Sequence, residues 1–260
     1  MAWWGKVVGG TLGLLIGGPI GALLGVSIGH KIDTELSGAV ERFRYFPGNQ
    51  ERVQAAFFTA TFSIMGHVSK ADGRVSSHEI SLAESIMDHM QLSEAQRNTA
   101  IRLFNKGKES GFDVDGVLSQ FKRECHGRTT VMQMFLEIQI QAALSDGDFD
   151  HRESAVLENI AYALGFSPER LRMMIERIRG GGGAKSDSQN LSLSDAYRIL
   201  GVTAETPMDE VKKAYRRLLS QNHPDKLVSK GLPEEMIKLA NEKTHEIRMA
   251  WKRVQKSGRK

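Results

Sequence analysis

Val7 to Gly29, VVGGTLGLLIGGPIGALLGVSIG, runs for 23 residues without a charged side chain. As one helix this stretch would be roughly 35 Å long, enough to cross the hydrocarbon core of a bilayer. A secretory signal peptide fits less well. The apolar run is long, and no small-x-small cleavage site followed by a cysteine-bearing secreted domain is apparent. A re-entrant hairpin turning at Gly17-Gly18-Pro19 would leave arms of about ten residues, roughly 15 Å each, too short to span. The expectation is therefore a retained single-pass anchor over residues 1–30. Only Lys6 and the α-amino group precede it, whereas Lys31, Arg42 and Arg44 follow closely. The positive-inside rule then leaves the N-terminus outside and everything after residue 30 in the cytoplasm.

Glycine recurs at every fourth position through this stretch, at Gly9, Gly13, Gly17, Gly21, Gly25 and Gly29. In lipid, small residues mark faces where helix backbones approach closely. A four-residue repeat drifts about 40° per step, so the stripe winds as a right-handed crossing requires. The expectation is a homodimer through this segment; the plainer alternative is an inert glycine-rich anchor.

The remainder reads as globular and helical. The one cysteine, Cys125, excludes an internal disulfide framework and reads as a small buried hydrophobe, since no base partner for a nucleophile can be picked out. Past a connector over residues 31–49, residues 50–179 keep helical spacing: Val53, Ala56, Phe57, Ala60 and Ile64, then Val131, Met134, Phe135, Ile138 and Ala142. Ser76–Glu79, Ser93–Gln96 and Asp150–Glu153 each place a capping oxygen three residues before Glu or Gln, and Ser167-Pro168 adds a cap followed by proline. ADGRVSSHE at 71–79 aligns with SDGDFDHRE at 145–153 at an offset of 74, which suggests two related helical hairpins. This pattern resembles the TerB-like domain of tellurite-resistance proteins.

The same segment carries half of a calcium loop. Asp146, Asp148, Asp150 and Glu153 could hold a cation loosely, but Ala142 and Leu144 stand where the first oxygen ligands belong. The glycines and glutamates are equally explained by turns and capping boxes. His67, His78, His89, His126 and His151 show no metal-binding spacing and read as surface or packing residues.

Arg177 ends the helical pattern, and Gly180 to Gly183 opens a flexible tether over 180–190 that lets the module beyond it move within a limited radius. From Leu191 onward 15 Lys and Arg face 9 Asp and Glu, so the basic surplus of the chain is concentrated here. A short helix ends at Gly201. A second starts with Thr206 as cap and Pro207 at its first position. In it Val211, Ala214, Tyr215 and Leu218 form an apolar stripe beside Lys212, Lys213, Arg216 and Arg217. His223-Pro224-Asp225 comes next, then a long helix from about Pro233 with Leu239, Ile247, Ala250, Trp251 and Val254.

Taken together, DAYRILGV, AYRRL, the HPD triplet and IRMAWKRV resemble a J domain over residues 191–260. With the glycine-rich segment and the TerB-like middle, the whole chain resembles the DjlA family of membrane-bound J proteins. The resemblance implies an all-α protein of the inner membrane that docks on a DnaK-type ATPase and stimulates its hydrolysis, acting in envelope or capsule regulation. It assigns partner contact to His223, Pro224, Asp225, Lys212, Lys213, Arg216 and Arg217. The one departure is the extended LVSKGLPEE after Lys226, read as leaving the contact face unchanged. No cofactor is expected, since no P-loop occurs and the glycine run leads into polar linker. Nucleic acid is not expected either, because the basic helix lacks an aromatic stacking platform. No hydrolytic constellation is present. The competing view makes the middle domain a metal- or ligand-sensing unit with the J domain as output.

Overall fold

The computed structural model describes residues 18–23, 49–71, 77–144, 151–181, 191–229, 232 and 237–257, and every regular element among them is a helix. The middle domain consists of α1 (Asn49–Val68), α2 (Ser77–His89), α3 (Glu94–Gly107), α4 (Val114–Cys125), α5 (Thr129–Ala143), α6 (His151–Leu164) and α7 (Pro168–Gly181). The C-terminal module consists of α8 (Leu193–Leu200), α9 (Met208–Gln221), α10 (Pro224–Ser229) and α11 (Ile237–Ser257).

α1 lies at the centre of the middle domain. Val53, Ala56, Phe57, Ala60, Ile64 and Met65 are at most 1% exposed, so the helix is buried on several sides, packing on α3, α4 and α5. Its crossing with α3 needs glycine on both helices. A Cβ on Gly66 would stand 2.0 Å from the Phe104 carbonyl oxygen, and one on Gly107 would stand 1.8 Å from that of Ser63. Phe121 bridges the layers, 6.2 Å from the Phe57 ring and 4.8 Å from Phe135.

The repeat extends further than the aligned segments. Ser77 and His151 start α2 and α6, and Glu94 and Pro168 start α3 and α7, both pairs 74 residues apart. The caps keep the same offset. Ser93 forms a reciprocal capping box with Gln96, and Ser167 accepts from the Arg170 amide at 3.3 Å. The other two expected boxes involve Ser76 and Asp150, which lie outside the described residues.

Two local expectations change. α7 does not stop at Arg177; it continues to Gly181, into the first two residues of the expected tether. The start of α9 shifts as well: Pro207 occupies the cap position with ψ 141°, and no side chain caps the helix. Thr206 is unavailable for that role because its hydroxyl accepts from the Thr203 amide at 3.0 Å. The long helix is described from Ile237, and residues 233–236, where its start was expected, lie outside the described residues. Residues 182–190 lie outside the described residues.

Of the apolar N-terminal stretch only 18–23 is described. It is a short helical segment headed by Gly18 at φ +60°, with Ile20 and Leu23 buried against the middle domain and the Ile20 amide donating to Gln120 Oε1 at 2.8 Å. No helix among the described residues is long and apolar enough to cross a membrane. Gly21 falls in this segment, whereas Gly9, Gly13, Gly17, Gly25 and Gly29 lie outside the described residues.

Candidate functional site: the turn after α9 and its surroundings

The C-terminal module has its own small core of Ala196, Ile199, Leu200, Val211, Leu218, Ile247, Ala250 and Val254. α8 is closed at its head by Ser192, whose hydroxyl accepts from the Asp195 amide, and at its tail by Gly201 in the left-handed region at φ +66°. Hydrogen bonds from Ser192 and Arg198 hold the Asp195 carboxyl below its usual pKa. α9 and α11 are pinned by Tyr215 stacked on Trp251, with ring centroids 5.0 Å apart and planes 11° from parallel.

With Val211, Ala214 and Leu218 facing that core, the opposite side of α9 is left to Lys212, Lys213, Arg216 and Arg217. All four are exposed, and none has an ion-pair partner among the described residues. Asp209 and Glu210 sit in the first turn, where they complement the helix dipole and leave the cationic band unneutralised.

α9 ends at Asn222, whose buried side chain donates to the Leu218 carbonyl at 2.8 Å. The Asn222 carbonyl accepts from Thr244 Oγ1 of α11 at 3.0 Å. His223 lies between the two helices, and Pro224 begins α10 at a position where a missing N–H costs nothing. The turn closes with the Leu227 amide on the His223 carbonyl at 3.0 Å and Lys226 Nζ on Ser220 Oγ at 2.6 Å. His223 Nδ1 lies 3.9 Å from Asp225 Oδ2, with side chains 43% and 90% exposed. Lys212, Lys213, Arg216 and Arg217 thus run along the outer side of α9, and His223, Pro224 and Asp225 form the turn that follows its C-terminus. Sequence reasoning missed Asn222 and Thr244, the buried polar pair that holds this turn. Their only sequence signal is a polar residue flanking the triplet and one at helical spacing in a later helix.

Of the four cation candidates only Glu153 is among the described residues. Asp146, Asp148 and Asp150 lie outside the described residues, and Glu153 is buried in α6. Among the described residues no cluster of three or more His, Cys, Asp or Glu has the disposition of a metal site. Cys125 is fully buried, and burial pushes its thiol up to about 12, as a packing residue requires. An open cavity of about 340 Å³ is lined by Arg52, Arg123, Glu124, His126 and Arg128, where α4 ends and α5 begins. Arg52 pairs there with Glu124 at 2.8 and 3.0 Å.

Three family models match: the co-chaperone DjlA transmembrane domain over residues 1–45, the tellurite resistance protein TerB over 58–175, and the DnaJ domain over 195–259. The chain is 44% identical to a co-chaperone protein DjlA of Shewanella oneidensis, covering 98% of this chain and 97% of that one. Proteins of the same name from Photobacterium profundum and Escherichia coli are 41% and 40% identical, with 97% and 98% of this chain and 98% and 97% of theirs covered. The chain belongs to the DjlA co-chaperone family. No solved structure matches it significantly. A DjlA protein is a membrane-anchored co-chaperone, so the helical domains described above belong to a regulatory protein with a J domain rather than to a conventional enzyme.

Proposed function

We propose that this DjlA protein docks on a DnaK-type ATPase through residues 191–260 and stimulates its ATP hydrolysis. The observation that carries this reading is the exposed band of Lys212, Lys213, Arg216 and Arg217 ending at the exposed His223–Asp225 pair. An unneutralised cationic face suits an acidic groove and gives fast, salt-sensitive association. Pro224 and the Asn222 and Thr244 contacts keep the polar pair in one attitude, so that docking biases the partner towards its hydrolysing state. His223→Gln and Asp225→Asn are expected to abolish stimulation in a single-turnover ATPase assay while leaving helicity unchanged. Full stimulation by either variant sinks the reading.

The same proposal sets the chain in the inner membrane with its N-terminus outside and its helical domains in the cytoplasm. It makes the chain a homodimer through Gly9, Gly13, Gly17, Gly21, Gly25 and Gly29, acting in envelope and capsule regulation. The basic flank after residue 30, the four-residue glycine period and the family likeness support these points.

A second reading, the middle domain as a ligand-sensing input, is favoured by the cavity between α4 and α5. With Arg52 paired to Glu124 in its wall, Arg123, Arg128 and His126 are left to suit a small anion, whereas a metal site would draw on Asp146, Asp148, Asp150 and Glu153. Calorimetric titration with phosphate, calcium and zinc separates the two, and silent heats for all three dispose of the sensor.

A further inference from the structure

Besides the packing of α8 on α7, two ties between the C-terminal module and the middle domain flank the His223-Pro224-Asp225 turn. On one side, Lys243 of α11 forms an ion pair with Glu137 of α5, a carboxylate only 4% exposed that also pairs with Arg177 of α7. Gln133 donates to Glu137 Oε1 at 3.0 Å. The residue after Lys243 is Thr244, whose hydroxyl holds the Asn222 carbonyl immediately before His223. On the other side, Gln50 of α1 donates to the Val228 carbonyl at 3.2 Å, three residues beyond Asp225. Leu227, Leu232 and Ala240 are fully buried, and they join the apolar cluster of the middle domain rather than the core of their own module. Two of these three, Leu227 and Leu232, come from the extended segment after Lys226.

We infer that the middle domain positions the turn: Glu137 and Lys243 act through Thr244 and Asn222, and Gln50 with Leu227 and Leu232 acts through α10, to present His223 and Asp225 to the ATPase in one fixed attitude. Glu137 and Lys243 are positioning residues, because neither reaches the exposed face that meets the partner. The inference rests on the proposed docking function and adds to it that the extended segment is an intramolecular docking element. α9 itself stays outside this contact, with its cations exposed. Loss of the tie therefore leaves electrostatic capture intact and impairs the step after capture.

The test uses the full chain in nanodiscs with a DnaK-type ATPase, reading single-turnover hydrolysis against co-chaperone concentration. Lys243→Ala is expected to lower the plateau about fivefold or more, the low end of ordinary coupling between sites. The half-saturating concentration stays near that of the parent, and Lys243→Arg restores most of the plateau. On the same variants, cysteines introduced as Gln50→Cys and Val228→Cys report docking through a short bis-maleimide. Their cross-linking is expected to be fast in the parent, lost with Lys243→Ala and regained with Lys243→Arg. Cys125, fully buried, stays out of the reaction. A plateau unchanged by Lys243→Ala overturns the positioning role and leaves the docking function standing. So does a plateau that falls while cross-linking persists, or a loss seen only in half-saturation. Failure of the parent chain to stimulate at all overturns the docking function and the positioning role together.

Discussion

The two sides of the C-terminal module differ in almost every physical respect. The outer side of α9 carries Lys212, Lys213, Arg216 and Arg217 in water, held only by the apolar stripe behind them. The inner side, where α10 and α11 meet the middle domain around Lys243, buries Leu227, Leu232 and Ala240 and places one cation on a carboxylate with almost no solvent contact. Charge on the outer side is long-ranged, screened by salt and nearly free of structural consequence. Charge on the inner side is short-ranged, desolvated and inseparable from packing. One module thus uses cations in two ways, to find a partner and to hold a position.

The largest contrast comes from removing the acid. Glu137→Ala strands Lys243 and Arg177 without their carboxylate and is expected to cost about 3–5 kcal/mol in chemical denaturation of the full chain. Deleting a cation on α9, as in Lys213→Ala, is expected to move stability by no more than about 0.5 kcal/mol. Equal effects from the two would erase the distinction between the sides.

A charge reversal sharpens it from the other direction. Lys212→Glu with Arg216→Glu is expected to slow association with the ATPase by about tenfold or more at low salt, with the gap closing as salt is raised. A stopped-flow rate that ignores both the substitution and the salt would show that α9 is only a solvated face.

Acid separates the sides more gently. Burial alone would raise the Glu137 carboxyl, but Lys243 and Arg177, helped by Gln133, hold it below its usual value of 4.5. A depressed carboxylate lends stability that is complete above the unfolded value and is lost as pH falls through the folded one. Glu246, on the same helix as Lys243 and facing Lys243, Arg177 and Glu137, is raised by burial. Its ionisation costs stability at neutral pH, and that cost is relieved as pH falls towards its folded value. Measured against a free thiol at the same pH, since only the thiolate attacks maleimide, the Gln50→Cys/Val228→Cys cross-link is therefore expected to hold or strengthen slightly from neutral pH down, and to fail only below about pH 4.5. Loss of cross-linking well above that value would count against Glu137 as the tie. A control outside the comparison is Ser192→Ala, which removes the cap of α8 and should cost about 1 kcal/mol in thermal melting without touching either side.

Much of this was readable in the residues. Helical spacing located the buried positions of α1 and α5, because a 3.6-residue period is a local property of the chain. Ser93 and Ser167 announced their helices, since a cap is satisfied within three residues of its own position. The cationic face of α9 was legible for the same reason: four cations beside an apolar stripe can only point away from the core. Thr206 misled because its hydroxyl had a second local partner, the Thr203 amide, and propensity does not say which wins. The glycines after Arg179 misled because glycine's low helix propensity is a weak prior, and α7 includes Gly180 and Gly181 before it ends.

Sequence alone determined the helical spacing, the Ser93 and Ser167 caps, the 74-residue duplication, the cationic band and the triplet, all of which rest on interactions between near neighbours. Tertiary structure alone decided that Glu137 meets a lysine 106 positions away, that Asn222 is held by Thr244, and that the extended segment after Lys226 turns inward. A buried ion pair between distant residues leaves no periodic trace in either helix. Each partner looks like an ordinary surface charge until folding removes the water around it.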